Sequence, residues 1–433
     1  MDLLLPDSTG AHHSYTLKGK PLPPPKPGGF TSRVAYAAAH VVLDSTRTTN
    51  IANPVLDWES TLAFRSHLWS LGFGVAEAMD TAQRGMGLDW PLALELIQRS
   101  VREARASNGI IACGAGTDHL DPNFARDLND VIAAYTQQCN AVEAAGGRVI
   151  LMASRALARI ARSPEDYAHV YNTILRQLRE PAILHWLGPM FDPALAGYWG
   201  TTAGANSEAL SEALQHCLAV IRANAEKIDG IKISLLDANL EIEMRRALPS
   251  SVRMYTGDDF NYDRLILDDE LGYSDALLGI FDPIAPAAAL ALQALDSGDT
   301  ARYNELLAPT IPLSRHIFAS PTYNYKTGIV FLAWLNGFQP HFRMVAGAET
   351  ARDRAHLIDL FKLAWVPTMV DEQAPERTER LRKLIERVGK HHIILNRVDA
   401  EEGIRFGQSI GIAMFQGRYV DEIAVRKTLP KMR

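Results

Sequence analysis

The sequence predicts a (β/α)8 barrel, or TIM barrel, because short apolar runs alternate with helical segments eight times over roughly 265 residues. Each run is short enough for a buried strand, and the stretches between the runs carry apolar residues at helical spacing. A doubly wound open sheet would show the same alternation, usually with a GxGxxG turn after its first strand. The nearest match is Gly114-Ala115-Gly116 after the third run, so residues 33–298 are interpreted as a barrel.

Eight apolar runs supply the predicted strands of this barrel. They are Val34–Leu43, Phe73–Ala78, Gly109–Cys113, Val149–Ala153, Ala182–Trp186, Gly230–Leu236, Val252–Tyr255 and Ala276–Phe281. Helix-start signals separate them: Asp121-Pro122 precedes an apolar face that runs from Phe124 to Tyr135, and Ser163-Pro164 opens another helix.

Two further segments flank the predicted barrel. Residues 1–32 are interpreted as an arm, with a short strand at His12–Leu17 and a stiff proline-rich stretch at 21–27 that packs over a domain or a partner subunit. Residues 299–433 are expected to form a mainly helical extension. Its predicted helices are Tyr303–Leu307, Tyr325–Gly337, Ala351–Val366 and Glu376–Val388, followed by a weakly patterned end in which Ile393–Leu395 is a strand or a helix end.

Composition narrows the class of protein. The chain has 433 residues, 47% of them hydrophobic and 22% charged, and a formal net charge of −6, which gives no reason to expect nucleic acid or an anionic membrane as a partner. No apolar run reaches bilayer-spanning length, and Met1–Pro6 lacks the basic start of a signal peptide. Three cysteines without CxxC spacing are typical of reduced thiols, so we expect a cytoplasmic protein.

Lys232 is the residue with the clearest chemical implication. It is the single charged side chain within the apolar run Gly230–Leu236, and alternation along a strand puts it on the same face as Ser234. A buried ammonium costs several kcal/mol unless it is paired or loses its proton. A neutral lysine attacks carbonyl carbon, so Lys232 is a candidate Schiff-base residue, although an ion pair with Asp80 or Asp258 would also explain it.

Other polar residues follow the predicted strands, at the end of a barrel where active sites lie. The candidate substrate-binding residues among them are Asp80, Thr81, Asp118, Arg155, Gly257 and Asp258. His185, in the fifth strand, is a candidate for proton transfer, since its ring titrates near neutral pH, or else a histidine of the core. Asp118, Asp258 and Asp282 each precede a helix and can serve as caps; for Asp282 capping is the preferred interpretation.

With these positions identified, the chain resembles the dihydrodipicolinate synthase / N-acetylneuraminate lyase superfamily of class I aldolases, and more closely its DUF993 branch. Four segments carry the resemblance, in the family's order and spacing over roughly residues 33–340. They are Asp229-Gly230-Ile231-Lys232, Tyr255-Thr256-Gly257-Asp258-Asp259, Leu278-Gly279-Ile280 through Gly298-Asp299, and Lys326-Thr327-Gly328. The resemblance implies that Lys232 forms the family's imine and that no cofactor or metal is needed. It also implies a homo-oligomer, a dimer or a tetramer.

Two departures from the family pattern concern the substrate. The family's second strand usually ends in G-T/S-T-G-E, which holds a carboxylate, whereas this chain has Met79-Asp80-Thr81-Ala82-Gln83. Asp80 repels a carboxylate unless a cation such as Arg84 compensates, and it suits hydroxyl groups. The family's fifth strand presents a tyrosine that relays protons, and His185 takes that place here.

We therefore expect a carbon–carbon or carbon–oxygen lyase that forms an imine on Lys232 with a small carbonyl substrate: a keto sugar, a sugar-acid derivative or a 2-oxo acid. Two alternatives remain. A metal-dependent aldolase, isomerase or dehydratase would bind a divalent ion through Asp80, Asp118, His119, His185 and Asp258. A small-molecule sensor would keep the barrel without its chemistry.

Overall fold

The computed structural model describes residues 2–6, 11–16, 22–200, 207–364, 394–395 and 414–415. By their contacts, Met1–Val370 and Asp371–Arg433 form two separate units. The first unit begins with an antiparallel pair, β1 (Asp2–Pro6) and β2 (His12–Thr16). The strand predicted at His12–Leu17 is therefore confirmed, and its partner β1 was not predicted.

Eight parallel strands close the barrel, as the sequence predicts. They are β3 (Ala35–Ala38), β4 (Gly74–Glu77), β5 (Ile111–Ala115), β6 (Arg148–Leu151), β7 (Ala182–Leu187), β8 (Ile228–Ser234), β9 (Arg253–Thr256) and β10 (Asp275–Leu278). Neighbours along the chain pair in parallel, and β10 pairs with both β9 and β3 to complete the circle. Because parallel strands are covered on both faces, they appear in the sequence as continuous apolar runs.

The helices of the barrel surround the strands. They are α1 (Trp58–Ser70), α2 (Trp90–Ser107), α3 (Leu128–Ala145), α4 (Arg155–Ile160), α5 (Pro164–Gln177), α6 (Ser207–Ala223), α7 (Ala238–Ala247), α8 (Tyr262–Ile266) and α9 (Phe281–Asp296). One predicted start is wrong. Asp121 caps only a 3-10 turn that ends at Phe124, which is 75% exposed, and α3 begins later, where Asp127 accepts hydrogen bonds from the next turn.

Beyond the barrel, the described chain continues as α10 (Thr300–Leu307), α11 (Thr310–Ile317), α12 (Tyr325–Leu335) and α13 (Arg354–Ala364). Three of these confirm predicted helices, whereas α11 was not predicted. The helix predicted at Glu376–Val388 lies outside the described residues. In the second unit, β11 (Ile394–Leu395) pairs in parallel with β12 (Met414–Phe415), so the strand alternative for 393–395 is confirmed.

The N-terminal arm lies against α9. The backbone N–H of Lys26 donates to the Gln293 side chain at 3.0 Å, and that of Ser32 donates to Asp296 at 2.6 Å. The sequence predicted that the arm packs over a domain or over a partner subunit. In the structure, the arm contacts the chain's own barrel.

A small cluster of side chains fills the interior of the barrel. Its buried members are Tyr36, Ala38, Ala76, Met79, Ala112, Ile150, Ile183, Tyr255 and Leu277. The rings of Tyr36 and Tyr255 meet edge to face with their centres 5.9 Å apart. Because Lys232 is paired in register with Tyr255, its side chain points into the same interior.

Composition predicts that the chain has no bilayer-spanning segment and that its cysteines are reduced. No helix in the described ranges is both long enough and apolar enough to cross a bilayer. Cys113, Cys139 and Cys217 are buried and free of disulfides, as the sequence predicts.

Candidate active site at the carboxyl end of the barrel

Lys232 lies on the interior face of β8, and its side chain is almost completely buried, with 6% exposure. Burial lowers the pKa of its amine below the ordinary value, and the carboxylates of Asp80 and Asp259 partly offset that effect. No described carboxylate forms an ion pair with the amine. Lys232 therefore loses its proton more readily than a surface lysine, which is the condition for attack on a carbonyl.

Asp259, which follows β9, is a carboxylate that acts on Lys232. Just before it, the chain passes close to β8 at Gly257, where an added Cβ would lie 2.4 Å from the Ile233 carbonyl oxygen. The N–H of Ile280 donates to Asp259 Oδ1 at 2.9 Å. Burial raises the pKa of Asp259 to about 7, against the opposing effect of Lys232, so this group exchanges protons near neutral pH.

Asp258 has a different role from its neighbour. Its Oδ1 accepts the backbone N–H groups of Phe260 and Asn261, and its Oδ2 accepts the Asn261 side chain at 2.7 Å. These bonds hold a local turn, and Asp258 does not cap the helix that follows, whose first residue is preceded by Asn261. The sequence offered Asp80 or Asp258 as the partner of Lys232; in the structure, the carboxylates that act on the amine are Asp80 and Asp259.

Asp80 and Thr81 form a short 3-10 turn after β4. The turn follows Ala78, which has a left-handed φ of 53° and whose N–H donates to Glu77 Oε1 at 2.8 Å. Thr81 is buried, and its hydroxyl is 2.9 Å from the hydroxyl of Tyr325. The side chain of Asp80 makes no hydrogen bond with the described residues, which leaves its oxygens available to a ligand.

His185 lies beside Lys232, since the two residues are paired in register on β7 and β8. Its Nε2 is 3.3 Å from Ser234 Oγ, and its Nδ1 is buried without a hydrogen-bond partner in the described part of the chain. Burial, with a smaller contribution from Lys232, holds the pKa of His185 well below its ordinary value. The ring is therefore neutral at neutral pH, and burial makes it a weaker base than an exposed imidazole.

An open cleft of about 620 Å³, part of it solvent, lies at the barrel mouth on the side of β4 to β7. Asp80, Asp118, His185 and Arg155 are among the residues that line it, and Lys232 is not among them. Asp118 is paired with Arg84 rather than capping a helix. Burial would raise the pKa of Asp118, but hydrogen bonds and charge from Arg84 hold it below its ordinary value.

Two residues of the C-terminal extension were missed by sequence reasoning. Tyr325 and Lys326 begin α12, and both are buried. Lys326 Nζ donates to the Tyr323 carbonyl at 3.2 Å, and burial lowers its pKa to about 8, with Asp80 as the strongest opposing charge. Burial raises the pKa of Tyr325 well above its ordinary value, and the charge of Asp80 adds to this effect. Lys326 belonged to a recognised motif, but nothing local in the sequence relates it to the second strand.

Asp282 does not cap a helix. Its Oδ2 is 2.7 Å from His40 Nδ1, both side chains are fully buried, and His40 Nε2 has no described partner. The preferred interpretation of Asp282 was therefore wrong. The reason is tertiary: His40 follows the first barrel strand and Asp282 the last, and closure of the barrel brings these ends together.

The residues proposed for a metal-dependent alternative are not assembled. Among the described residues, no group of three or more His, Cys, Asp or Glu side chains could hold a metal ion. Asp118 pairs with Arg84, and His119 instead contacts Gln137 and Gln138. The described part of the chain gives that alternative no support.

Comparison with known proteins agrees with the fold. The chain is similar to dihydrodipicolinate synthase from Oceanobacillus iheyensis, with 14% identity over 77% of this chain and 95% of that one and a TM-score of 0.54. The synthase from Bacteroides thetaiotaomicron gives 16% identity, 77% and 99% coverage and a TM-score of 0.57. A putative dihydrodipicolinate synthetase from Pseudomonas aeruginosa gives 14% identity over 76% of this chain and 98% of that one, with a TM-score of 0.56. At these identities the likeness shows the fold alone.

A comparison with protein families matches a longer part of the chain. Residues 3–389 match the model of a family described as "Protein of unknown function (DUF993)". No curated protein matches the chain.

Proposed function

The chain belongs to the DUF993 family, and we propose that its barrel is a class I aldolase or related lyase that forms an imine on Lys232. One observation carries the proposal. A single strand presents an amine that is buried inside the barrel, unpaired among the described residues and less basic than an ordinary lysine. That combination is what nucleophilic attack on a ketone requires.

In the proposed reaction, the neutral Lys232 amine adds to the substrate carbonyl carbon, and the carbonyl oxygen takes up a proton. Loss of water from this adduct gives an iminium ion. The bond that breaks joins the carbon next to the iminium carbon to the following carbon, which carries a hydroxyl group. That hydroxyl loses its proton and becomes the carbonyl of the released fragment, while the electrons of the broken bond move to the iminium and leave an enamine. The enamine that remains is protonated on carbon, and water then releases the product from Lys232.

Two side chains are proposed to move the protons. His185 is adjacent to Lys232 and has a ring nitrogen without a described partner, so it is proposed to accept the hydroxyl proton during cleavage. Asp259, with a pKa near 7, is suited to protonate the oxygen that leaves as water. Asp80 and Thr81 are proposed to contact the substrate near its carbonyl, and Asp118, Arg155 and the close approach of the chain at Gly257 to shape the site.

Borohydride trapping tests this proposal. The protein is incubated with a panel of ketoses and 2-oxo acids, reduced with sodium borohydride, and analysed by intact mass and peptide mapping. We expect a stable adduct on Lys232 that is lost in Lys232→Met. Lys326→Met distinguishes the second buried amine, and Lys362→Met, at an exposed lysine, is the control for removal of an amine elsewhere.

The proposal fails if the protein turns over a carbonyl compound that leaves no adduct on Lys232, or if Lys232→Met still acquires the adduct. Lys232→Ala separates the enzyme from a binding protein. Ligand binding without turnover in both the parent and this variant would identify a sensor.

A further inference from the structure

We propose that the substrate is a neutral polyhydroxylated ketone, a keto sugar rather than a 2-oxo acid; this rests on the proposed imine function. A 2-oxo acid carries its carboxylate on the carbon next to the carbonyl. That charge would lie beside the carbon that Lys232 attacks, and with Asp80 nearby it would need a cation to offset the repulsion between the two carboxylates. The cations closest to the cleft are Arg84, Arg155 and Lys326.

Arg84 cannot supply this charge. A guanidinium has five N–H donors. Those of Arg84 donate to both carboxylate oxygens of Asp118 at 2.8 Å, to Gln138 Oε1 at 2.6 Å, and to the carbonyls of Ala78 and Gly114. All five are used, and the side chain is only 2% exposed.

Arg155 is also paired. Its Nε donates to Asp192 Oδ2 at 2.6 Å, and both residues line the cleft. Its remaining N–H groups can donate to a neutral hydroxyl, but the neighbouring carboxylate cancels most of its charge. Lys326 donates to the Tyr323 carbonyl, is 3% exposed, and does not line the cleft.

Asp80 therefore remains as the cleft-lining carboxylate without an ion-pair partner among the described residues, since the two lysines whose charges it opposes, Lys232 and Lys326, do not line the cleft. The ion-pairing side chains that line it are Arg84 with Asp118 and Arg155 with Asp192, which leaves Asp80 unpaired among the described residues. Asp80 lines the same cleft as His185, the residue paired in register with Lys232, and it is the stronger of the two carboxylate charges that act on the Lys232 amine. An ionised carboxylate accepts hydrogen bonds from hydroxyl groups and repels a second carboxylate.

A matched pair of three-carbon ketones tests the inference. Dihydroxyacetone and hydroxypyruvate differ in one group, a CH2OH in the first and a carboxylate in the second. Each is trapped on the protein with borohydride, and the adduct on Lys232 is divided by the adduct formed on free N-α-acetyl-lysine, which corrects for intrinsic reactivity. We expect the corrected ratio to favour dihydroxyacetone by at least about tenfold, since selectivity here comes from like-charge repulsion.

Asp80→Asn identifies the origin of the preference. This change keeps the shape of the side chain and removes its charge, so the ratio should fall to within about threefold of unity if repulsion by Asp80 causes it. Any effect on the basicity of Lys232 acts on both probes and cancels in the ratio. Lys362→Met is the control and should leave the ratio unchanged.

The outcomes separate the two proposals. If hydroxypyruvate is trapped on Lys232 as well as or better than dihydroxyacetone, the inferred substrate class is wrong while the imine remains. If the preference persists unchanged in Asp80→Asn, the inference from Asp80 is also wrong. If neither probe, nor any ketose or 2-oxo acid of the panel, reacts at Lys232, the proposed function itself fails.

Discussion

The buried ion pair that supports the turn before Asp80 provides a quantitative test of how this site is held. Arg65 Nε and Nη2 each donate to a carboxylate oxygen of Glu77 at 2.9 Å, and both side chains are 0% exposed. Arg65 also donates to the carbonyls of Thr61 and His40, and Glu77 accepts the N–H of Ala78. The pair therefore connects the ends of β3 and β4.

Arg65→Met should lower the free energy of unfolding by about 3–5 kcal/mol, the cost of leaving a buried charge without its partner. Solvent does not reach the pair, so screening cannot reduce this cost. The carbonyls of His40 and Thr61 also lose a donor. Because Glu77 holds the N–H of Ala78, we expect the turn at Asp80 to shift and trapping on Lys232 to weaken as well.

The free energy of unfolding is measured by urea unfolding that is monitored through tryptophan fluorescence, with Arg126→Met as the matched control. Arg126 forms a similar two-bond pair with Asp130, at 2.9 and 3.0 Å, but its side chain is 82% exposed. Solvent screens that pair, so we expect no measurable change. In the double variant Arg65→Met/Glu77→Leu, removing both charges should recover much of the lost stability.

Two results would refute this reasoning. One is a loss in Arg65→Met below about 1 kcal/mol, the range of exposed pairs. The other is a double variant as unstable as the sum of its single changes, which would mean that the two side chains act independently.

Three further predictions concern protonation and packing. Asp259→Asn removes a negative charge that favours the ammonium of Lys232, so the rise of trapping with pH should move to lower pH; a move to higher pH would contradict the assignment. Burial raises the pKa of Glu241 to about 8, above its unfolded value near 4.5, so the free energy of unfolding should fall as pH rises through this interval. In Glu241→Gln, the free energy of unfolding measured by urea titration should depend less on pH over the same interval. Gly257→Ala would place a Cβ 2.4 Å from the Ile233 carbonyl oxygen, so thermal unfolding should occur at lower temperature and trapping on Lys232 should weaken. A variant unchanged in both would show that the backbone at this position adapts to the added Cβ.

Much of the fold follows from local patterns. All eight barrel strands were predicted because a parallel strand buried on both faces is apolar along its length. Helix ends were less certain: Asp121-Pro122 has the residues of a helix start, yet the chain forms only a 3-10 turn before Asp127 begins α3. Both segments carry capping residues, and only packing of the apolar face decides which one starts the helix.

The candidate site was predicted less completely. Sequence order placed the ends of the strands at one end of the barrel, which identified Lys232, His185 and Asp80 as neighbours. It named Asp258 and not Asp259, because the direction in which adjacent residues of a loop point is not fixed by local sequence. In the structure, Asp258 accepts hydrogen bonds from its own loop, and Asp259 is the one that acts on Lys232.

By itself, the sequence determined the barrel, the interior face of β8 and the amine on that face, because strand periodicity and burial are local properties. Tertiary structure alone decided which charges compensate one another. Arg84 forms an ion pair with Asp118, which follows a different strand. Helix α12 brings Lys326 close enough to Asp80 for the two charges to interact. Charge interactions depend on distance in space and on burial, and neither is fixed until the chain has folded.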